Sequence, residues 1–230
     1  MIKTVIFDLD GTFYDYNRAN ERAGRAVEAY VLEQFGMPPE EYRRAMSEQL
    51  RETAKRMGPV SATHNRLIRM QNVLEKHGLP VYPHTLSMAE IYWEAFLRDI
   101  ELFPGSRELL AALKQSGIRI GLGTNMTAYV QHLKLRILRI GEFMDFIVTS
   151  EDAGIEKPER GFFEYCLSKA GCEPGECLFV GDNNDFDVKA PRDFGMQAVL
   201  YGEGGILYPD CLKEDGRIVM GDVIIGGKSS

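Results

Sequence analysis

Long apolar stretches are missing from this 230-residue chain. No run approaches the roughly 20 residues that would span a bilayer, and Asp8 and Asp10 interrupt the N-terminal apolar segment where a signal peptide would need continuity. A cytoplasmic protein is expected. An excess of positive charge is missing as well: Lys and Arg number 27 against 34 Asp and Glu, for a net charge of -7. A nucleic-acid partner is not expected, because phosphate backbones are bound by basic surfaces. A small anionic substrate fits only if its site brings cations of its own. Cysteine is sparse, and Cys166, Cys172, Cys177 and Cys211 form no C-x-x-C pair. They read as reduced core residues rather than a disulfide frame or a zinc site. His64, His77, His84 and His132 have no metal-ligand spacing among themselves or with the cysteines, and read as structural or surface residues. Internal repeats and low-complexity tracts are absent too.

With 44% hydrophobic and 27% charged residues, the composition is that of an ordinary globular protein. The length allows one large domain, or a main domain with a smaller one. The most informative stretch is Val5-Ile6-Phe7-Asp8-Leu9-Asp10-Gly11-Thr12. An apolar run from Ile2 to Phe7, broken only by Lys3 and Thr4, suits a buried strand of a parallel sheet. It ends in acid. Strand side chains repeat every second residue, so Asp8 and Asp10 are expected on one side at the strand's C-terminal end, with Gly11 turning the backbone away. Two carboxylates that close repel each other; proton sharing or a bound cation relieves this, and for oxygen-only ligands the natural cation is Mg²⁺. The bland alternative is a pair of aspartates in a solvated loop.

From Asp15 to about Ile100 the pattern is helical throughout. Ala19, Ala23, Ala26, Val27, Tyr30 and Val31 recur at helical spacing until Gly36 and Pro38-Pro39. A second helix is expected over Glu40 to Met57. A third carries Leu67, Met70, Val73 and Leu74 and stops at Gly78-Leu79-Pro80, and a fourth carries Met88, Ile91, Tyr92, Ala95 and Phe96. Strands resume only at Ile118, far beyond the dozen or so residues a βαβ crossover requires, so the block reads as an insertion. The expected division is a core of 1–14 with 102–230 and an inserted helical domain of 15–101. From Asp15 to Ile100 there are 12 cations and 12 acids, so the core carries the whole negative balance.

Beyond the insertion, Phe103-Pro104-Gly105 makes a turn and Ser106 is expected to cap a helix burying Leu109, Leu110 and Leu113. Strands then alternate with helices: strand Ile118 to Gly123, helix Ala128 to Ile140, strand Phe146 to Thr149, helix Arg160 to Ala170, strand Cys177 to Gly181, helix Val188 to Phe194, strand Gln197 to Tyr201. This order predicts an α/β fold with a parallel sheet covered on both faces. One further β-like run covers Val219 to Ile225, and the final Gly-Gly-Lys-Ser-Ser reads as frayed.

In such sheets ligands collect beyond the carboxyl ends of the strands. The residues there are Asp8 and Asp10 after the first strand, Thr124-Asn125 after the second, and Gly181-Asp182 after the fourth. Lys157-Pro158 precedes the helix that follows the third, a cation near backbone N–H groups that already favour an anion. Together they make a site for a phosphate held by Thr124, Lys157 and Mg²⁺, with a carboxylate available to attack it.

In that order, Asp8-Leu9-Asp10-Gly11-Thr12, Thr124-Asn125, Lys157-Pro158 with Phe162-Phe163, and Gly181-Asp182 with Asp187 resemble the four motifs of the haloacid dehalogenase superfamily over the whole chain. The resemblance implies a doubly wound Rossmann-like core, and the helical insertion looks like the cap of the phosphatase branch. It implies that Asp8 is a nucleophile forming an aspartyl-phosphate, and that Asp10 protonates the leaving alkoxide and then activates water. It further implies Mg²⁺ bound by the Asp8 carboxylate, the Asp10 main-chain carbonyl and Asp182. Thr124, Asn125 and Lys157 would bind phosphate, and Asp187, ahead of Asp185, would hold a metal-bound water or brace Lys157. The substrate expected is a small phosphorylated metabolite. Carbon–halogen cleavage is not expected, because members that perform it lack the second aspartate. A phosphomutase keeps the same residues and stays open. A receiver-type signalling domain uses similar groups, but its acceptor follows a strand interior to the sequence and it has no helical insertion, whereas Asp8 follows the first strand.

Some residues have bland readings beside sharp ones. Arg51, Lys55, Arg56, Arg66 and Arg69 read as a solvated helix face or as cations facing an acidic substrate. Tyr14, Asp15 and Tyr16 stand where the chain leaves the core, as substrate contacts, hinge residues or, for Tyr14, packing. Trp93 reads as core of the insertion.

Overall fold

Thr4–Phe7, four residues without exposed side chains, form the first strand, β1. In the computed structural model, which describes residues 1–225, this strand lies in the middle of a five-stranded parallel sheet. The other strands are β2 (Arg119–Thr124), β3 (Phe146–Thr149), β4 (Cys177–Gly181) and β5 (Gln197–Leu200), in the order β3-β2-β1-β4-β5. Thr4 pairs with Arg119 on one side and Cys177 on the other, so the C-terminal ends of β1, β2 and β4 finish side by side. Apolar side chains on both faces of a strand suit this sandwiched position. Ile6, Phe179 and Val148 pack with Phe162, Phe163 and Cys166 into one buried cluster.

Contacts divide the chain into two units, Met1–Asp15 with the chain from Glu101 onward, and Tyr16–Ile100. The second is all helical: α1 (Tyr16–Phe35), α2 (Pro39–Met57), α3 (Arg66–Lys76) and α4 (His84–Leu97), with a short 3₁₀ turn at Ser61–His64. Helix α1 buries Ala19, Ala23, Val27 and Val31, a four-residue spacing that makes one stripe. Arg22 caps α4, its Nε 2.8 Å from the Ala95 carbonyl oxygen and its Nη2 3.1 Å from that of Phe96, where a helix end has carbonyls without partners. Arg66 and Arg69 are buried rather than solvated. The Arg66 Nη2 donates to the Tyr16 hydroxyl at 2.6 Å and to Asn20 Oδ1 at 3.0 Å, under a guanidinium 4.4 Å from the Tyr92 ring centre. Burial, with Arg66 beside it, lowers the Arg69 guanidinium to about 10. Trp93 meets Tyr92 and Phe96 edge-on, and the His84 ring lies 2.7 Å from the Tyr30 hydroxyl.

In the other unit, helices α5 (Ser106–Gln115), α6 (Ala128–Leu138), α7 (Ser150–Ala153) and α8 (Arg160–Ala170) alternate with the strands. Several local expectations are corrected. Ser106 is not a cap but the first helical residue, and its hydroxyl donates to the Phe103 carbonyl at 2.6 Å. Gly105 stands in the cap position at φ +80, where a Cβ would come 2.7 Å from the Pro209 nitrogen. The helix expected over Val188 to Phe194 is a wide π turn at Asn184–Lys189 followed by Ala190–Asp193. The Asn183 carboxamide accepts from the N–H groups of Asp185 and Phe186 and so starts that turn early. The β-like run Val219 to Ile225 is a hairpin, Ile218–Met220 against Val223–Ile225, because Gly221 at φ +59 lets the chain reverse. The Gly-Gly-Lys-Ser-Ser tail lies outside the described residues.

Candidate active site

Asp8 continues the sheet for one residue, its N–H donating to the Val180 carbonyl at 2.8 Å, before the chain turns. Its carboxylate is almost wholly buried, at 5% exposure, and needs a partner. Lys157 supplies one: Nζ lies 2.8 Å from Asp8 Oδ1 and 2.6 Å from Asp187 Oδ1. The Thr12 hydroxyl lies 3.3 Å from Asp182 Oδ1 and 3.5 Å from Asp8 Oδ2, tying the end of β1 to the end of β4. Carboxylate oxygens of Asp8, Asp182 and Asp187 fall within 4.8 Å of one another.

Two glycines make that clustering sterically allowed. A Cβ on Gly11, which sits at φ +83, would come 2.2 Å from Asp182 Oδ2. One on Gly181 would meet the Asp187 carboxylate at 2.4 Å. The acids therefore occupy space that any side chain at these positions would fill.

Three carboxylates around one ammonium leave a local negative excess. Burial raises the Asp8 carboxyl to about 7; Lys157 opposes the rise, and Asp187 and Asp10 add to it. Burial also raises Asp182, with Asp187 pushing the same way. For Lys157 burial works against the charge, but Asp187 and Asp8 prevail and hold the ammonium above the usual lysine range. An oxygen-only, electron-rich donor set this tight is what a hard divalent cation requires. The donor chemistry therefore fits a metal ion, with Asp8 and Asp182 as first candidates to hold it.

Thr124 and Asn125 end β2 beside this cluster. Thr124 is buried, and its oxygen accepts from Gln131 Nε2 at 2.7 Å, which leaves the hydroxyl proton to be donated elsewhere. Asn125 does something the sequence did not suggest: its Nδ2 donates to the Lys157 carbonyl at 3.0 Å while its Oδ1 accepts from the Lys157 N–H at 2.9 Å. Its carboxamide is occupied with the lysine backbone rather than directed at a phosphate. Asp185 stands apart, exposed and paired with Lys189 at 2.7 Å.

Asp10 forms a second centre. The Lys134 Nζ lies 2.7 Å from each of its carboxylate oxygens, and the Tyr14 hydroxyl donates to Oδ1 at 2.5 Å. Both partners are fully buried. Tyr14 is thus a packed residue with its hydroxyl on Asp10. Gln131 and Lys134 escaped the sequence reading, although a signal was there: Val130, Lys134 and Leu138 follow one another at four-residue spacing, which puts a lysine on the buried stripe of α6. Tyr208, whose hydroxyl donates to the Thr12 carbonyl at 3.0 Å, carried no comparable signal.

A family model described as haloacid dehalogenase-like hydrolase matches residues 2–195. The chain is 31% identical over 204 residues to a ribulose-1,5-bisphosphate 5-phosphatase of Halopiger xanaduensis, covering 87% of this chain and 85% of that protein. It is 30% identical over 209 residues to a glyceraldehyde 3-phosphate phosphatase of Pyrococcus abyssi, covering 89% and 83%. Among solved structures, a 2-haloacid dehalogenase from Pseudomonas syringae superposes with a TM-score of 0.70 at 26% identity, covering 87% of this chain and 86% of that one. No helix among the described residues is long and apolar enough to cross a membrane.

Proposed function

The chain belongs to the haloacid dehalogenase-like hydrolases, and from that membership we propose that this phosphoric monoester hydrolase is a Mg²⁺-dependent, cytoplasmic phosphatase of a small phosphorylated sugar, working through an aspartyl-phosphate. One observation carries the reading. Lys157 joins Asp8 to Asp187 at 2.8 and 2.6 Å, and a carboxylate oxygen of Asp182 lies within 4.8 Å of theirs. Carboxylates and an ammonium gathered beyond the ends of β1 and β4 support a nucleophile, a cation and an oxygen-only metal site working together.

In this mechanism an Asp8 oxygen attacks phosphorus, and the bond from phosphorus to the ester oxygen breaks. Asp10 gives its proton to the departing alkoxide. The Asp10 carboxylate then takes a proton from water, whose oxygen attacks the same phosphorus and breaks its bond to Asp8, releasing inorganic phosphate. Lys157 and the Thr124 hydroxyl hold the phosphoryl oxygens, and Asn125 and Asp187 keep Lys157 in place. Held by the Asp8 and Asp182 carboxylates and the Asp10 carbonyl, Mg²⁺ would supply neutralisation of the charge on the phosphoryl oxygens. We assign the inserted helices the part of a cap that selects the substrate. The names of the curated relatives support a sugar phosphate as the substrate class.

The test is phosphate release from a panel of sugar phosphates, with and without Mg²⁺. Magnesium-dependent release from at least one of them is expected. Transfer of the phosphoryl group to another sugar hydroxyl without release, or no turnover of any member, overturns the reading.

A further inference from the structure

We propose that Lys134 is a positioning residue for proton transfer, holding the Asp10 carboxylate in the orientation from which it serves the leaving oxygen. The inference rests on the phosphatase reading and adds to it a residue that belongs to none of the four motifs.

A lysine with no exposed surface is costly to keep charged unless it is paired at close range. Lys134 is paired through both oxygens of a single carboxylate, each at 2.7 Å, and that carboxylate is Asp10. The Tyr14 hydroxyl, 2.5 Å from Oδ1, adds a second fixed donor from a fully buried ring. Left to itself, an aspartate turns about two bonds and presents its oxygens in several directions. Three contacts from two immobile side chains select one direction. The Asp10 side chain keeps 20% of its surface open, so the clamp fixes the group without sealing it off. Each aspartate of the motif thus has its own ammonium: Lys157 beside Asp8, and Lys134 beside Asp10.

The experiment compares two esters that differ in their need for a proton. p-Nitrophenolate departs without one, whereas an alkoxide requires it. Leaving-group release is measured in a single turnover, with enzyme in excess, for p-nitrophenyl phosphate and for the alkyl phosphate that the native protein turns over fastest. In Lys134→Met, release from the alkyl ester is expected to fall at least about tenfold further than release from the aryl ester. Tyr14→Phe, which removes one oxygen from a packed ring, is expected to move in the same direction by a smaller factor, and it stands as the test if Lys134→Met does not fold. Lys134→Arg is expected to recover part of the difference. Equal slowing of both esters in the folded variants overturns the role of Lys134 while leaving the phosphatase reading intact. A native protein that releases phosphate from neither ester overturns both.

Discussion

Asn125 and Lys157, 32 residues apart, exchange two hydrogen bonds, the carboxamide of one gripping the N–H and the carbonyl of the other. The pair locks the backbone from which the Lys157 ammonium projects towards Asp8. Asn125→Ala strips the partners from the N–H and the carbonyl of Lys157, which lie in two successive part-buried peptide groups, a loss of about 1–3 kcal/mol. The expected outcome is a lower melting temperature together with a fall of roughly 10- to 100-fold in kcat/KM, since a misplaced ammonium no longer meets the phosphoryl oxygens. Unchanged kinetics in this variant would separate the grip from catalysis.

The two aspartates of the first motif should fail differently. Asp8→Asn removes the attacking oxygen, so turnover of p-nitrophenyl phosphate should vanish and no acid-trappable phosphoprotein should form. Asp10→Asn leaves the attack possible but removes the proton carrier, for a loss of about 10²–10⁴ in turnover. Matching residual rates in the two variants would contradict this division of labour.

Acidity and metal should act on stability together. The Asp8 carboxyl rises from 3.8 to about 7 because it is buried, so in that window the native state binds a proton that the unfolded chain has released. Metal-free protein should therefore lose stability as the pH climbs from about 4 to about 7. Added Mg²⁺ should return it, and more at pH 8 than at pH 5, because the cation needs the carboxylates ionised. Melting curves at the two pH values, with Mg²⁺ and with EDTA, check this. An equal increment at both would argue against Asp8 as a ligand.

Thiol chemistry offers an independent check on packing. Burial pushes the Cys166 thiol to about 12 and Cys211 to about 11, and raises Cys177 beyond the ordinary range. Cys172 is only partly buried, its Sγ 3.6 Å from the Thr4 hydroxyl oxygen. A thiolate-specific reagent at pH 8 should therefore modify Cys172 first in the native protein, and the other three only when guanidinium unfolds it. Rapid labelling of Cys166 would show a looser core.

The sheet and its strand-end chemistry were legible because parallel strands leave a simple trace: an apolar run, then a polar residue at the carboxyl end. Asp8, Thr124 and Asp182 could be found that way. The contacts of Asn125 could not, because which backbone a carboxamide faces depends on how two loops meet. Lys134 was overlooked for a different reason. In a helix that also carries His132 and Arg136 one lysine looks like solvated surface, and only its register with Val130 and Leu138 marks it as buried. The π turn at Asn184–Lys189 was lost because the side-chain bonds that start it come from an asparagine, a residue equally common in irregular loops. The sequence allows Asp187 either a metal-bound water or Lys157 as partner, and in the structure its carboxylate lies 2.6 Å from the Lys157 ammonium.

The central place of β1 bears on how the chain is made. Its two neighbours begin pairing at Arg119 and Cys177, so β1 has no companion strand until more than a hundred further residues have been made. Closing such long spans is slow for entropic reasons. Until then β1 is an apolar strand with both edges unpaired, the kind of segment that can associate with other chains before its own partners arrive.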